Sequence, residues 1–137
     1  MNELQISVEK LKEKINPLFT KSIDVDAGWY QIIVDCDKEL TTIDPSYVIF
    51  QIKEKFGTLR YYFEPSKVYD QELFNKMNEV VLKYEAIAAI TCEATGLPGV
   101  LMESPYKWRK TLNVEYVQST PHLARYSVIQ KNLPQDI

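Results

Sequence analysis

This sequence is poor in the residues on which most site chemistry depends. Its 137 residues include four glycines, Gly28, Gly57, Gly96 and Gly99, and none stands in a G-x-G-x-x-G or Walker arrangement that would cradle phosphate. There is one histidine, His122, and there are two cysteines, Cys36 and Cys92. The cysteines lie far apart in stretches that read as helical, so they are expected to be small buried hydrophobes rather than a bridge. A Cys–His nucleophile pair would have to join one of them to His122, and an apolar helix stripe is a poor place to lower a thiol pKa. No apolar run approaches the roughly 18 residues of a membrane span. The opening Met-Asn-Glu-Leu-Gln-Ile-Ser-Val-Glu-Lys has no apolar core of a secretion signal, so a cytoplasmic protein is expected. A basic surplus is missing too. The net charge is −3, and residues 1 to 50 hold five Lys against nine Asp or Glu, a balance of −4 that leaves +1 for the rest. Nucleic acid is therefore not expected as the main partner. There is no internal repeat and no low-complexity tract.

What the chain does contain is a strong hairpin pattern. From Tyr47 to Glu64, two alternating apolar runs flank one glycine. Val48, Phe50 and Ile52, then Leu59, Tyr61 and Phe63, are expected on one face, with Lys53, Lys55, Arg60 and Tyr62 on the other. Pairing Phe50 with Phe63 and Ile52 with Tyr61 puts Glu54 opposite Leu59 and leaves Lys55 to Thr58 as the connection. Gly57 is the natural place for a positive φ there. The same register sets Lys53 opposite Arg60, a like-charge pair that an acid nearby, solvation or an anionic partner would offset.

Helices surround the hairpin. Leu4, Val8, Leu11 and Ile15 form one stripe on a first helix that should stop near Pro17. Asp26 is the expected N-cap of a second, about eleven residues long, with Trp29, Ile32, Ile33, Cys36 and Leu40 on one face. Asp70 should cap a long third helix with a stripe of Leu73, Met77, Val80, Tyr84, Ile87 and Ala88, ending by Gly96. Val100–Met102 and Lys110–Val117 read as two short strands. The fold class is thus α+β. One domain is expected over residues 1–117, followed by a polar, partly ordered tail over 118–137 in which only Val128 to Leu133 hints at packing.

Three segments carry a resemblance. They are Gly28-Trp29-Tyr30 with Ile33 and Cys36; Gln51-Ile-Lys-Glu-Lys-Phe-Gly-Thr-Leu-Arg-Tyr-Tyr62; and Cys92-Glu93 through Gly96-Leu-Pro-Gly99 to Trp108-Arg-Lys-Thr-Leu112. Together they resemble a group of functionally uncharacterised small bacterial and prophage proteins with a "VKEKFGGLRFY" hairpin, a Cys knuckle and a "W-x-x-T-L-C" segment. In that group the knuckle resembles a zinc ribbon. Here Cys92 stands at the first ligand position, but Thr95, Asn113 and Tyr116 stand at the other three. One thiolate cannot hold structural zinc, so neither metal nor cofactor is expected. The resemblance implies a ribbon shape completing the sheet, held by Leu101, Trp108, Leu112 and Tyr116.

The second helix bears an acidic set: Asp24 and Asp26 at its entrance, then Asp35, Asp37 and Glu39. Like charges at i, i+4 cost a few tenths of a kcal/mol, although acids at a helix start are favourable. The set reads as a recognition face for a basic protein such as a nuclease toxin. Lys53, Lys55, Arg60 and Tyr62 are the alternative binding face. Of nine tyrosines, Tyr30, Tyr47, Tyr62, Tyr106 and Tyr126 are uncommitted to a stripe and suited to an interface. With no paired carboxylates or nucleophile in a catalytic pattern, the expectation is a binding protein rather than an enzyme. The leading expectation is an immunity protein that neutralises a toxin by contact. The alternatives are a phage-derived inhibitor of a host defence nuclease and a nucleic-acid-associated module.

Overall fold

A computed structural model describes residues 1–129 and has an α+β architecture. Helix α1, Glu3–Leu11, opens with a capping box in which the Asn2 side chain accepts the Gln5 N–H and the Gln5 side chain accepts the Asn2 N–H. It tightens into one 3₁₀ turn, Lys12–Lys14, and buries Val8 and Leu11. Ile15 then bridges to Ile49 in parallel. A two-residue strand β1, Ile23–Asp24, follows.

Asp26 does not cap the second helix as the sequence suggests. A 3₁₀ turn, Ala27–Trp29, intervenes, and α2 runs Tyr30–Ile43 with no side-chain cap. The Asp26 carboxylate lies 3.7 Å from Lys110 instead of on the helix start, and the Asp26 N–H donates to Glu93 Oε2 at 3.0 Å, so this corner is fixed by residues distant in sequence. Helix α2 also outlasts the eleven residues of its apolar pattern and stops at Asp44, whose carboxylate accepts both the N–H and the hydroxyl of Ser66. Its inner face is as the spacing predicts, with Trp29, Ile32, Ile33, Cys36 and Leu40 all buried.

Strands β2, Val48–Lys55, and β3, Thr58–Glu64, form the hairpin. Ile52 faces Tyr61, Lys53 faces Arg60 and Glu54 faces Leu59, as expected. Two details differ. Lys55 pairs with Thr58, which leaves a two-residue turn, Phe56-Gly57, with φ of +56° and +81°. Positive φ at both central residues is the type I′ pattern, whose twist matches that of the strands. A bulge between Ile49 and Gln51 puts Ile49, not Phe50, opposite Phe63. In the run Val48-Ile49-Phe50 every residue is apolar, so no alternation marks the phase. Ile49 takes the core position, and Phe50 packs on Phe19 at 5.2 Å between ring centroids.

Strand β1 joins β2 in parallel, giving the sheet order β1-β2-β3. Helix α3, Gln71–Ala88, is capped by Asp70, whose Oδ1 accepts the Leu73 N–H at 3.0 Å. It packs on the hairpin through Met77, Val81 and Ala88, with Phe74 stacked on Phe63 at 5.3 Å. Glu85 of α3 reaches the outer edge of β3, where its Oε2 accepts the Tyr61 N–H.

The helix ends at Ala88, well before Gly96, so Cys92 lies in a turn rather than on a helix stripe. Backbone bonds close that turn: the Cys92 N–H donates to Leu97 O and the Gly96 N–H to Cys92 O. Beyond it, β4 (Val100–Glu103) pairs with β5 (Arg109–Leu112) and with β6 (Ser127–Val128) in a second sheet of order β5-β4-β6. The expected ribbon is therefore a separate sheet and does not complete the first. The second strand is shorter than expected because Asn113 starts a helix. Its Oδ1 accepts the Tyr116 N–H to cap α4, Val114–Gln118. A small second core holds Cys92, Met102, Leu112, Val117 and Leu123. Leu101 and Tyr116 are only partly buried and Trp108, expected in that core, is 70% exposed. Of the C-terminal segment, residues 118–129 carry a 3₁₀ turn (Pro121–Leu123) and β6; the rest of the Val128 to Leu133 packing expectation lies outside the described residues.

The two halves are locked by close contact. Gly28 packs so tightly on the Cys92–Glu93 backbone that a Cβ there would come within 2.3 Å of Cys92 O. Trp29 Nε1 donates to Thr91 O at 2.9 Å, and Thr111 Oγ1 donates to Gly57 O at 2.7 Å. Among the described residues no helix is long and apolar enough to cross a membrane.

Candidate functional site

The five acids expected on one face are dispersed. Asp37 turns inward: its Oδ1 accepts from Lys14 Nζ at 2.7 Å and from the Tyr47 hydroxyl at 2.6 Å, and Tyr47 in turn shares a 2.6 Å hydrogen bond with the buried Tyr61 hydroxyl. Burial holds both phenols far above their ordinary pKa, so the two hydroxyls stay protonated. Glu39 faces α3, where Lys83 and Tyr84 donate to its Oε1; the Lys83 bond holds its carboxyl below the usual range. Asp35 accepts from Gln31 one turn earlier. Asp26 lies 3.7 Å from Lys110, and Asp24 sits beside Lys53 in the parallel register of β1 and β2.

That last neighbour also accounts for the like-charge pair in the hairpin. In the register Lys53 has Arg60 on one side and Asp24 on the other, so the alternative face of Lys53, Lys55, Arg60 and Tyr62 has an acid on its neighbouring strand. Arg60 turns its Nε to Thr58 Oγ1 at 2.9 Å, and Tyr62 is 42% exposed. Lys55 lies apart at the hairpin tip.

The tip is where the structure gathers its exposed chemistry. A cleft of about 570 Å³ opens between the hairpin turn and the connection from β4 to β5. Its aromatic lining is Phe56, Tyr106, Trp108 and Tyr126; the first three are 65%, 78% and 70% exposed. Lys55, Lys107, Arg109, Lys110 and Glu54 complete it. Glu54 Oε2 accepts the Gly57 N–H and so braces the turn. The connection is a short turn in which the Ser104 hydroxyl accepts the Tyr106 and Trp108 N–H groups and Lys107 has φ +69°. Phe56 and Lys107 are the two non-glycine residues of positive φ among the described residues, and both line this cleft.

Most of the cations around the cleft are already paired. Glu103 accepts from Arg109 Nε at 3.0 Å and lies 3.4 Å from Lys107 Nζ; the Arg109 bond holds its carboxyl below the usual range. Lys110 lies 3.5 Å from Glu93, a buried carboxyl that desolvation raises and that the Asp26 N–H and Lys110 pull back. Among the described residues Lys55 has no such carboxylate; its Nζ lies 5.5 Å from the Phe56 ring centroid.

No protein-family model, curated protein or solved structure matches this chain. The site is therefore read from its own geometry.

Cys36 and Cys92 are fully buried, and burial together with Asp37 pushes the Cys36 thiol far up, so it stays protonated. His122 is exposed in the turn after α4. Among the described residues, no three His, Cys, Asp or Glu side chains converge as a metal site. The positions at which the resemblance would place ligands have other tasks. Thr95 Oγ1 accepts the Leu97 N–H, Asn113 Nδ2 donates to Pro98 O while its Oδ1 caps α4, and Tyr116 packs on the second core.

Phe56, Lys107, Trp108, Arg109 and Lys110 are not among the site residues the sequence suggests, and Tyr106 and Tyr126 are there only as uncommitted tyrosines. Two local signals were available. Phe56 fills a turn position that type I′ hairpins usually give to Asn or Gly, and Trp108 sits in an otherwise polar loop.

Proposed function

We propose that this protein acts by stoichiometric contact with another protein, as an immunity protein does in neutralising a toxin, and that the contact is made by the cleft at the hairpin tip. The observation that carries this reading is the coincidence of Phe56 and Lys107, both at positive φ, with three exposed aromatic rings in one cleft. Each such backbone conformation costs on the order of 1–2 kcal/mol and persists where the surroundings impose it, most often at functional sites. Exposed Trp, Tyr and Phe with Arg at hand make up the composition of an interface hot spot.

The charge pattern favours a protein over nucleic acid. A strand-binding groove needs cations free to replace counterions on the phosphates. Around this cleft, Arg109, Lys107 and Lys110 already face Glu103, Glu93 and Asp26. An aromatic centre inside a paired, polar rim is the usual plan of a protein interface. The acidic residues of α2 contribute less, since Asp37 and Glu39 are held by Lys14, Tyr47, Lys83 and Tyr84.

Co-expression with the product of the neighbouring gene tests the reading. The expected result is restored growth and an equimolar complex on purification. Trp108→Ala should weaken that complex roughly 30-fold, the effect of losing about 2 kcal/mol at a hot spot. Absence of any complex with products of the adjoining genes, together with unchanged growth when this gene is deleted, would overturn it.

A further inference from the structure

We infer that the segment received by this cleft carries a large apolar or aromatic side chain with a carboxylate beside it. The inference rests on the protein-contact reading above and adds what the partner must present. Size is the first argument. A volume of about 570 Å³ lies in the range of sites that enclose a small organic ligand, so it admits a few side chains of one extended or looped segment and not the face of a domain.

The lining makes the second argument. Phe56, Tyr106 and Trp108 provide the apolar walls for one anchor, and Tyr126, packed against the second core, fixes the cleft to the body of the protein. The ring pairs that satisfy one another, Phe19–Phe50 and Phe63–Phe74, lie elsewhere. The cleft rings are thus available to an incoming group.

Charge complementarity then selects what accompanies the anchor. The lining holds four cations and one carboxylate, Glu54, whose Oε2 is occupied by the Gly57 N–H. Three of the cations have carboxylates of this chain beside them. Lys55 has none among the described residues and lies against Phe56. The Arg109 guanidinium gives Nε to Glu103 and makes no other hydrogen bond among the described residues, leaving its terminal nitrogens for a second carboxylate. An acid next to the anchor completes both, whereas a Lys or Arg there would meet like charge.

The chain carries its own reporter. Of its two tryptophans, Trp29 is fully buried and Trp108 is 70% exposed in the cleft, so a ligand-induced change in emission reports on Trp108. The full-length protein is titrated with three blocked peptides: acetyl-Gly-Phe-Glu-Gly-amide, the same peptide with Lys for Glu, and the same with Ala for Phe. Oligothymidylate is the fourth probe. The expected result is a saturable change with the Phe-Glu peptide, about tenfold tighter than with the Phe-Lys peptide, and no saturation with the Ala-Glu peptide or the oligonucleotide. Phe56→Asn should abolish the change while raising the melting temperature, because Asn tolerates the positive φ. Equal response to the Glu and Lys peptides, no saturable response to any peptide, or response to oligothymidylate alone overturns the inference. In the co-expression assay, a Lys55→Glu variant that protects fully while Trp108→Ala does not would remove the carboxylate from the account and leave the protein-contact reading standing.

Discussion

The Thr111 hydroxyl donates to the Gly57 carbonyl at 2.7 Å, and this one bond ties the hairpin tip to the strand that carries the other wall of the cleft. Thr111 is 1% exposed, so neither group has water to fall back on. Replacing Thr111 by Val keeps the shape and removes the donor. The expected cost is about 1–3 kcal/mol of stability, the usual penalty for stranding a buried polar group. Thr111→Ser should recover most of it. Urea unfolding of the three proteins checks this, and a Val variant as stable as the parent would show that the bond does not hold the walls together.

Gly28 is the second tie. The first β-carbon added there would lie 2.3 Å from Cys92 O and 2.4 Å from Glu93 O, both backbone atoms that cannot swing aside. Gly28→Ala should therefore destabilise by about 3 kcal/mol or more, at the upper end of overpacking effects. Thermal unfolding would measure it, and an unchanged midpoint would contradict so close an approach.

Asp37 and Asp35 differ in role although both lie on α2. Asp37→Ala removes the acceptor of the Tyr47 hydroxyl and the partner of Lys14, for an expected loss of about 2–3 kcal/mol. Among the described residues Asp35 bonds only Gln31, and Asp35→Ala should stay within about 0.5 kcal/mol of the parent. Neither change should alter affinity for a partner once the folded fraction is accounted for. A specific loss of binding by Asp35→Ala at full stability would return the acidic helix to the interface.

Acidity should act on the fold in two opposite stages. Desolvation holds Glu85 and Glu93 above the usual carboxylate range, so the folded state takes up their protons first. Stability should rise as pH falls from neutral through those raised values, down to the unfolded glutamate value of about 4.3. Glu39 and Glu103 are held low by Lys83 and Arg109, and the stability they contribute above the unfolded value is lost as pH falls through their folded values. Urea midpoints across this range should pass through a maximum on the mildly acidic side. Glu85→Gln with Glu93→Gln should flatten the rise, and a steady fall from neutral pH in the parent would refute the assignment.

Much of the fold was legible because its strongest signals are local. Asp70 three residues before Leu73, the apolar face from Trp29 to Leu40, and a glycine between two alternating runs each act within a few residues and survive in the folded chain. The failures arose where a distant group outbids a local preference. Asp26 is an apt cap by sequence, but its carboxylate lies by Lys110; strand β1 has two residues and exists only because β2 lies beside it. Asn113 did carry a local signal, a capping side chain ahead of Val-Glu-Tyr, that a strand reading overrode. The cleft was hidden for another reason. Its walls come from residues 54–56 and 106–110, which are distant in sequence, and they become neighbours only when the hairpin tip packs on β5, as in the Thr111–Gly57 bond.

The reach of Glu85 to the Tyr61 N–H has a colloidal consequence. The outer edge of β3 would otherwise offer a row of unpaired amides beside Leu59 and Phe63, a template on which a second chain could add a strand. A carboxylate from α3 fills that edge at its middle, and the opposite edge of the sheet is a strand of only two residues. In a hairpin this rich in aromatic and β-branched residues, that carboxylate interrupts the β3 edge at a point where a second chain would have to pair.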